Sequence, residues 1–85
     1  MYFTMKEKVI EIIENVTGYD NLKENLDIDL LDNNIIDSLA FIELISTLED
    51  EFNIEIQPTQ VDPNIWRSVD KISKLVEQLQ KNDKI

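Results

Sequence analysis

Three stretches of this chain repeat their apolar residues at the period of a helix. Val9, Ile12, Ile13 and Val16 fall at i, i+3, i+4 and i+7, one face of a helix. Thr4 followed by Glu7 fits a capping box, and Gly18 is placed to end the element in the left-handed conformation. The pattern predicts a first helix over Met5–Thr17, after a short tail at residues 1–4. Phe41, Leu44, Ile45, Leu48 and Phe52 share a narrow sector of a second helix, predicted from Ser38 to Phe52 with Asp37 as N-cap. Ile72, Leu75, Val76 and Leu79 repeat the spacing in a third, capped by Ser68, with residues 81–85 as a polar tail.

The intervening segments have no such period. Residues 19–36 scatter Leu22, Leu26, Ile28, Leu30, Leu31, Ile35 and Ile36 through acidic and Asn-rich sequence. This predicts a long loop pinned to the core, and a loop of that length in a small domain is usually functional. Ile54 and Ile56 flank Glu55 in a short extended piece. Pro58 and Pro63 punctuate the next segment, with one helical turn expected near Thr59–Asp62 and the Trp66 ring over the edge of the core. The expectation is an all-α bundle of three main helices plus one short helix. It is a single domain, residues 1–85, with its core at about 5–80.

Charge adds a second pattern. The chain of 85 residues carries a net charge of −10. From Glu24 to Trp66 there is no Lys or Arg and there are eleven Asp or Glu. Such a surface repels nucleic acid and anionic lipid, and it speeds encounter with basic proteins. There is no Cys and no His, which removes thiolate metal sites, disulfides and the usual neutral general base. No apolar run reaches the about 18 residues that span a bilayer, and no signal peptide opens the chain. A cytoplasmic, monomeric protein without direct membrane insertion is expected. Asp27, Asp29 and Asp32 invite a calcium loop, but counting from Asp27 the sixth position is Asp32 where Gly is needed and the twelfth is Ser38 instead of Glu. No dedicated metal site is expected.

Ser38 stands where the acidic loop meets the second helix. A nucleophilic serine needs a base within reach, and this chain offers neither His nor a nearby Lys. A serine starting a helix is common enough to be only that. Yet a helix N-terminus also favours an attached phosphate, which makes Ser38 a candidate modification site. Beside it, Leu39 and Ile42 form a second apolar stripe, with Glu43 on its margin. This stripe reads either as a wider core face or as a docking patch.

Asp37-Ser38-Leu39, opening a helix that runs Phe41-Ile42-Glu43-Leu44 to Leu48-Glu49-Asp50-Glu51-Phe52-Asn53-Ile54-Glu55-Ile56, resembles the acyl carrier protein family over roughly Met5 to Leu79. The resemblance implies an acyl-carrier-like bundle with 4'-phosphopantetheine attached covalently to Ser38. It implies partner recognition through Asp37, Leu39, Ile42 and Glu43. Leu22-Lys23-Glu24-Asn25 with Asp27, Ile35-Ile36-Asp37-Ser38, and Val61-Asp62 with Trp66 and Ile72 resemble more narrowly the D-alanyl carriers of teichoic acid D-alanylation. That likeness implies a phosphopantetheinyl transferase, a D-alanine ligase and a membrane-bound acyltransferase as partners, with no catalysis by the chain itself. Asn33-Asn34 departs from the Gly usual in this loop, although Asn can take positive φ. Leu39-Ala40 departs from the Phe- or Met-containing start of helix 2 in D-alanyl carriers. Two alternatives stand beside this reading. One is an acyl carrier for fatty acid or polyketide synthesis, or a discrete aminoacyl carrier for peptide synthesis. The other is an unmodified acidic interaction domain.

Overall fold

The computed structural model describes residues 4–82; residues 1–3 of the tail expected at 1–4, and the end of the one expected at 81–85, lie outside them. Helix α1 spans Met5–Thr17, α2 spans Ser38–Phe52 and α3 spans Val69–Asn82. Single 3-10 turns form at Leu22–Glu24, Pro58–Gln60 and Pro63–Arg67. No strand occurs among the described residues.

The ends of the helices follow from their capping residues. Thr4 Oγ1 accepts from the Glu7 N–H at 3.1 Å, and Glu7 Oε1 accepts from the Thr4 N–H at 2.9 Å, so two otherwise orphaned donors satisfy each other. Gly18 then takes φ 79° and its N–H closes on the Glu14 carbonyl at 2.8 Å. Asn53 ends α2 in the same left-handed region, at φ 55°. The Ser68 hydroxyl accepts from the Lys71 N–H at 3.3 Å and starts α3. That helix continues through Lys81 and Asn82, so the polar end begins later than the sequence pattern predicts.

Helix α1 packs against both α2 and α3. Val9, Ile13, Leu44, Leu48, Val69, Ile72 and Val76 are fully enclosed between them. In α2 the centre of the buried stripe is Ala40, Leu44 and Leu48, while Phe41, Ile45 and Phe52 are half-buried at its flank. The loop after α1 is pinned by the buried side chains of Leu22, Leu30 and Ile36. Ile54 and Ile56 are buried on either side of exposed Glu55, as their alternation predicts.

Two expectations need correction around the prolines. The turn expected at Thr59–Asp62 is two turns, each beginning at a proline, because a fixed φ and a missing N–H suit the first helical position. Asp62 caps the second turn by accepting from the Asn64 N–H at 2.9 Å. That turn carries Trp66 inward. The indole lies within the core at 3% exposure instead of over its edge, with its ring edge-on to Phe41 at 5.2 Å between centroids.

Candidate functional site

Asp37 holds the start of α2 in place. Its Oδ1 accepts from the Ala40 N–H at 2.8 Å, and its carbonyl accepts from the Phe41 N–H at 2.8 Å. Ser38 is consequently the first residue of the helix and is exposed. An oxygen there stands at the positive end of the helix dipole, where a phosphodiester is favoured.

The loop before Asp37 is built by local turns tied to the distant Arg67. The Leu30 N–H donates to the Arg67 carbonyl at 2.9 Å, and the Leu30 carbonyl accepts from Ile35 and Ile36 at 3.0 and 3.1 Å. Asn34 turns this segment with φ 55°, so Asn supplies the conformation that Gly would otherwise provide. Asp29 Oδ1 accepts from the Leu31 and Asp32 N–H groups at 3.0 and 2.9 Å. Arg67 reaches Asp29 and Asp32 at 3.1 and 2.8 Å. The Asp32 N–H, together with the Arg67 guanidinium and against a smaller effect of burial, holds the Asp29 carboxyl below its ordinary value.

Leu39 and Ile42 project into solvent at 68% and 64% exposure, and Glu43 and Ser46 are exposed with them. The wider core face is therefore excluded for this stripe: one helix buries one apolar face and presents another beside Ser38. Asp37, Ser38, Leu39, Ile42 and Glu43 thus lie together on the exposed side of the first turns of α2.

Next to Ser38 a groove of about 310 Å³ opens between the loop and the Pro63–Arg67 turn. Leu31 and Ile36 form one wall, Pro63 and Trp66 the other, with Asp37, Ser38 and Phe41 completing it. An exposed serine, a helix terminus suited to a phosphodiester and an adjacent apolar groove fit a phosphopantetheine arm. When bound, that arm supplies the thiol which a chain without Cys lacks. Sequence reasoning missed Arg67 and the groove, whose walls are brought together by contacts between residues more than thirty positions apart. The one signal in the sequence was that Arg67 is the first base after the acidic span.

Residues 7–76 match the family described as phosphopantetheine attachment site. The chain is 40% identical over 74 residues to the D-alanyl carrier protein of Lactococcus lactis subsp. lactis, covering 87% of this chain and 94% of that one. It is 33% identical over 76 residues to the D-alanyl carrier protein of Lacticaseibacillus casei, covering 89% and 94%. It is also 33% identical over 76 residues to that of Enterococcus faecalis, covering 89% and 97%. Phosphopantetheine is accordingly the covalent cofactor, and the role is that of a carrier. Among the described residues no helix is long and apolar enough to cross a membrane. With the helical fold, the family match and the coverage in agreement, the chain belongs to the phosphopantetheine attachment-site family and, within it, to the D-alanyl carrier proteins.

Proposed function

We propose that Ser38 bears the phosphopantetheine arm, that the arm holds D-alanine as a thioester, and that the chain delivers it for D-alanylation of teichoic acid. The observation that carries this reading is the placement of Ser38: exposed at the first position of α2, beside the capping Asp37, in a chain of the D-alanyl carrier family. Attachment exchanges the hydroxyl hydrogen of Ser38 for phosphopantetheine, and the adenosine bisphosphate half of coenzyme A leaves. A phosphopantetheinyl transferase performs that step, a D-alanine ligase loads the thiol, and a membrane-bound acyltransferase takes the cargo. The chain itself works as a single-domain monomer in the cytoplasm and catalyses none of these steps. With no His or Cys, it lacks the usual base and thiol nucleophile.

Asp37 fixes the direction of the helix start toward the transferase. Leu39, Ile42 and Glu43 are the surface the partners share. Each handover must be brief, and acidic steering with a small apolar patch gives fast association without a large interface. Leu39-Ala40 is nearer the general carrier pattern than that of D-alanyl carriers, which favours a second reading as a fatty-acyl, polyketide or aminoacyl carrier. Loading the phosphopantetheinylated protein with a D-alanine ligase and ATP, beside an acyl-loading enzyme and its substrate, separates the two. A D-alanyl thioester formed only with the ligase supports the first reading. Efficient acylation without D-alanylation replaces it with the second.

A further inference from the structure

We propose that Arg67 is a positioning residue for arm attachment: it clamps the loop that leads into Ser38 and sets the spacing of the groove walls. This rests on the reading of Ser38 as the attachment site. The Arg67 guanidinium Nη1 donates to Asp29 Oδ1 and Oδ2 at 3.2 and 3.1 Å and to Asp32 Oδ1 at 2.8 Å. Its Nε donates to Asn64 Oδ1 at 3.0 Å, which locks the side chain to its own turn. The Arg67 carbonyl accepts from the Leu30 N–H, and the Leu30 carbonyl in turn accepts from the Ile35 and Ile36 N–H groups. Ile36 precedes Asp37. The bonds at Leu30 are main-chain bonds, and the guanidinium bears on them by holding Asp29 and Asp32, which flank Leu30 and Leu31, against the turn whose Arg67 carbonyl receives the Leu30 N–H.

The same contacts join the two sides of the groove. Leu31 and Ile36 belong to the clamped loop, and Pro63 and Trp66 belong to the turn that ends in Arg67. Asp29 and Asp32 lie on either side of Leu31, so the guanidinium holds the loop on both sides of a residue that lines the groove together with Trp66. The clamp does little for the fold as a whole, because its members are solvent-accessible and exposed ion pairs contribute little to stability. Its effect is local: it holds one arrangement of a loop that has no regular secondary structure of its own between Asn34 and Asp37. Without it the loop samples others, and a partner that recognises one arrangement binds more weakly in proportion to that arrangement's population.

Charge alone would act in the opposite direction. Removing Arg67 makes the surface more acidic and should improve encounter with a basic partner. Positioning predicts a poorer substrate, and steering predicts a better one.

The test measures phosphopantetheinylation kinetics with coenzyme A and a broad-specificity transferase on wild type, R67Q, R67K and D32N. It is read beside amide hydrogen exchange of the unmodified proteins. We expect R67Q to raise KM for the carrier by about fivefold, as a reduced competent population does, while kcat stays within error. Exchange at Ile35 and Ile36 should quicken while α1 keeps its protection. R67K should recover part of the loss, since an ammonium is a point charge without the guanidinium's fork. Asp32 is 71% exposed, so D32N keeps the fold; because it removes an acid, steering alone would also raise its KM, and it is read by exchange at Ile35 and Ile36, which should quicken. R67K keeps the charge, so steering alone leaves its KM unchanged, and it carries the kinetic test if R67Q does not fold. An unchanged or lower KM in R67Q and R67K overturns the proposal, even if exchange quickens. Failure of the wild type to gain the arm would instead overturn the Ser38 reading on which the proposal rests.

Discussion

The α1–α3 pair and the end of the molecule that carries Ser38 are held by different means. In α1 and α3 each stabilising feature is encoded within a few residues: the capping box at Thr4 and Glu7, the left-handed Gly18, the Ser68 cap and the buried stripes facing each other. At the Ser38 end, beside the Asp37 cap and the local turns made by Asp29 and Leu30, the loop depends on distant partners: Leu30 on Arg67, Asp29 and Asp32 on Arg67, Phe41 on Trp66. The scaffold is stabilised mainly by burial of apolar side chains, and the site is shaped by a few polar contacts that water reaches. Stability and carrier function should therefore be separable by mutation, even within one helix.

Leu44 and Leu39 in α2 give the sharpest contrast. Leu44 is fully buried, and L44A should cost about 2–5 kcal/mol by leaving a cavity. In a domain of this size, each kcal/mol lowers Tm by about 4–8 °C. Thermal unfolding followed by circular dichroism reads this directly. L39A and I42A should change stability by no more than about 0.5 kcal/mol, since their side chains already face water. Their loss should appear instead as slower modification and slower cargo loading. If L39A melted as early as L44A, the division between a core face and a docking face would be wrong.

The cap of α2 lies between these extremes. D37A removes the acceptor for the Ala40 N–H and should cost about 1 kcal/mol in chemical denaturation. D37N keeps an acceptor oxygen and should recover most of that stability.

Acid should weaken the distant contacts by a route open to checking. Besides Asp29, Asp70 has its carboxyl held below the ordinary value, first by Lys6 and then by Lys74. Glu7 is lowered chiefly by the Thr4 N–H. A carboxyl with a depressed folded pKa contributes stability that is fully present above its unfolded value, about 4, and is lost as pH falls through the folded one. The acid limb of the stability curve should be shallower in R67Q, because Asp29 then has less depression to lose. An identical limb would show that Arg67 does not act on Asp29 in solution. The smallest effect expected is a modest rise in Tm between low and moderate salt, as screening relieves repulsion in a chain of net charge −10. A steady fall would mean that ion pairs such as Lys8–Glu51 outweigh self-repulsion.

This division also explains what could be read in the sequence. The bounds of α1, the start and end of α2, and the caps at Thr4, Asp37 and Ser68 follow from local spacing and residue type, and the structure places them there. Trp66 was harder, because the turn that buries it depends on Asp62 capping a proline-led segment and on Phe41 meeting the ring from another element. The Arg67 clamp joins residues 35 and 38 positions apart, and no periodicity encodes such a meeting. Ser38 could be singled out from its neighbours, but its groove could not, since each wall comes from a different irregular segment.

The central claim is that one side chain, Ser38, carries the arm. Intact mass spectrometry after incubation with coenzyme A and a broad-specificity phosphopantetheinyl transferase, on wild type and S38A in parallel, tests it most directly. The account predicts a gain of one phosphopantetheine in the wild type and none in S38A, with both proteins folded. A gain in both, or in neither, would contradict it.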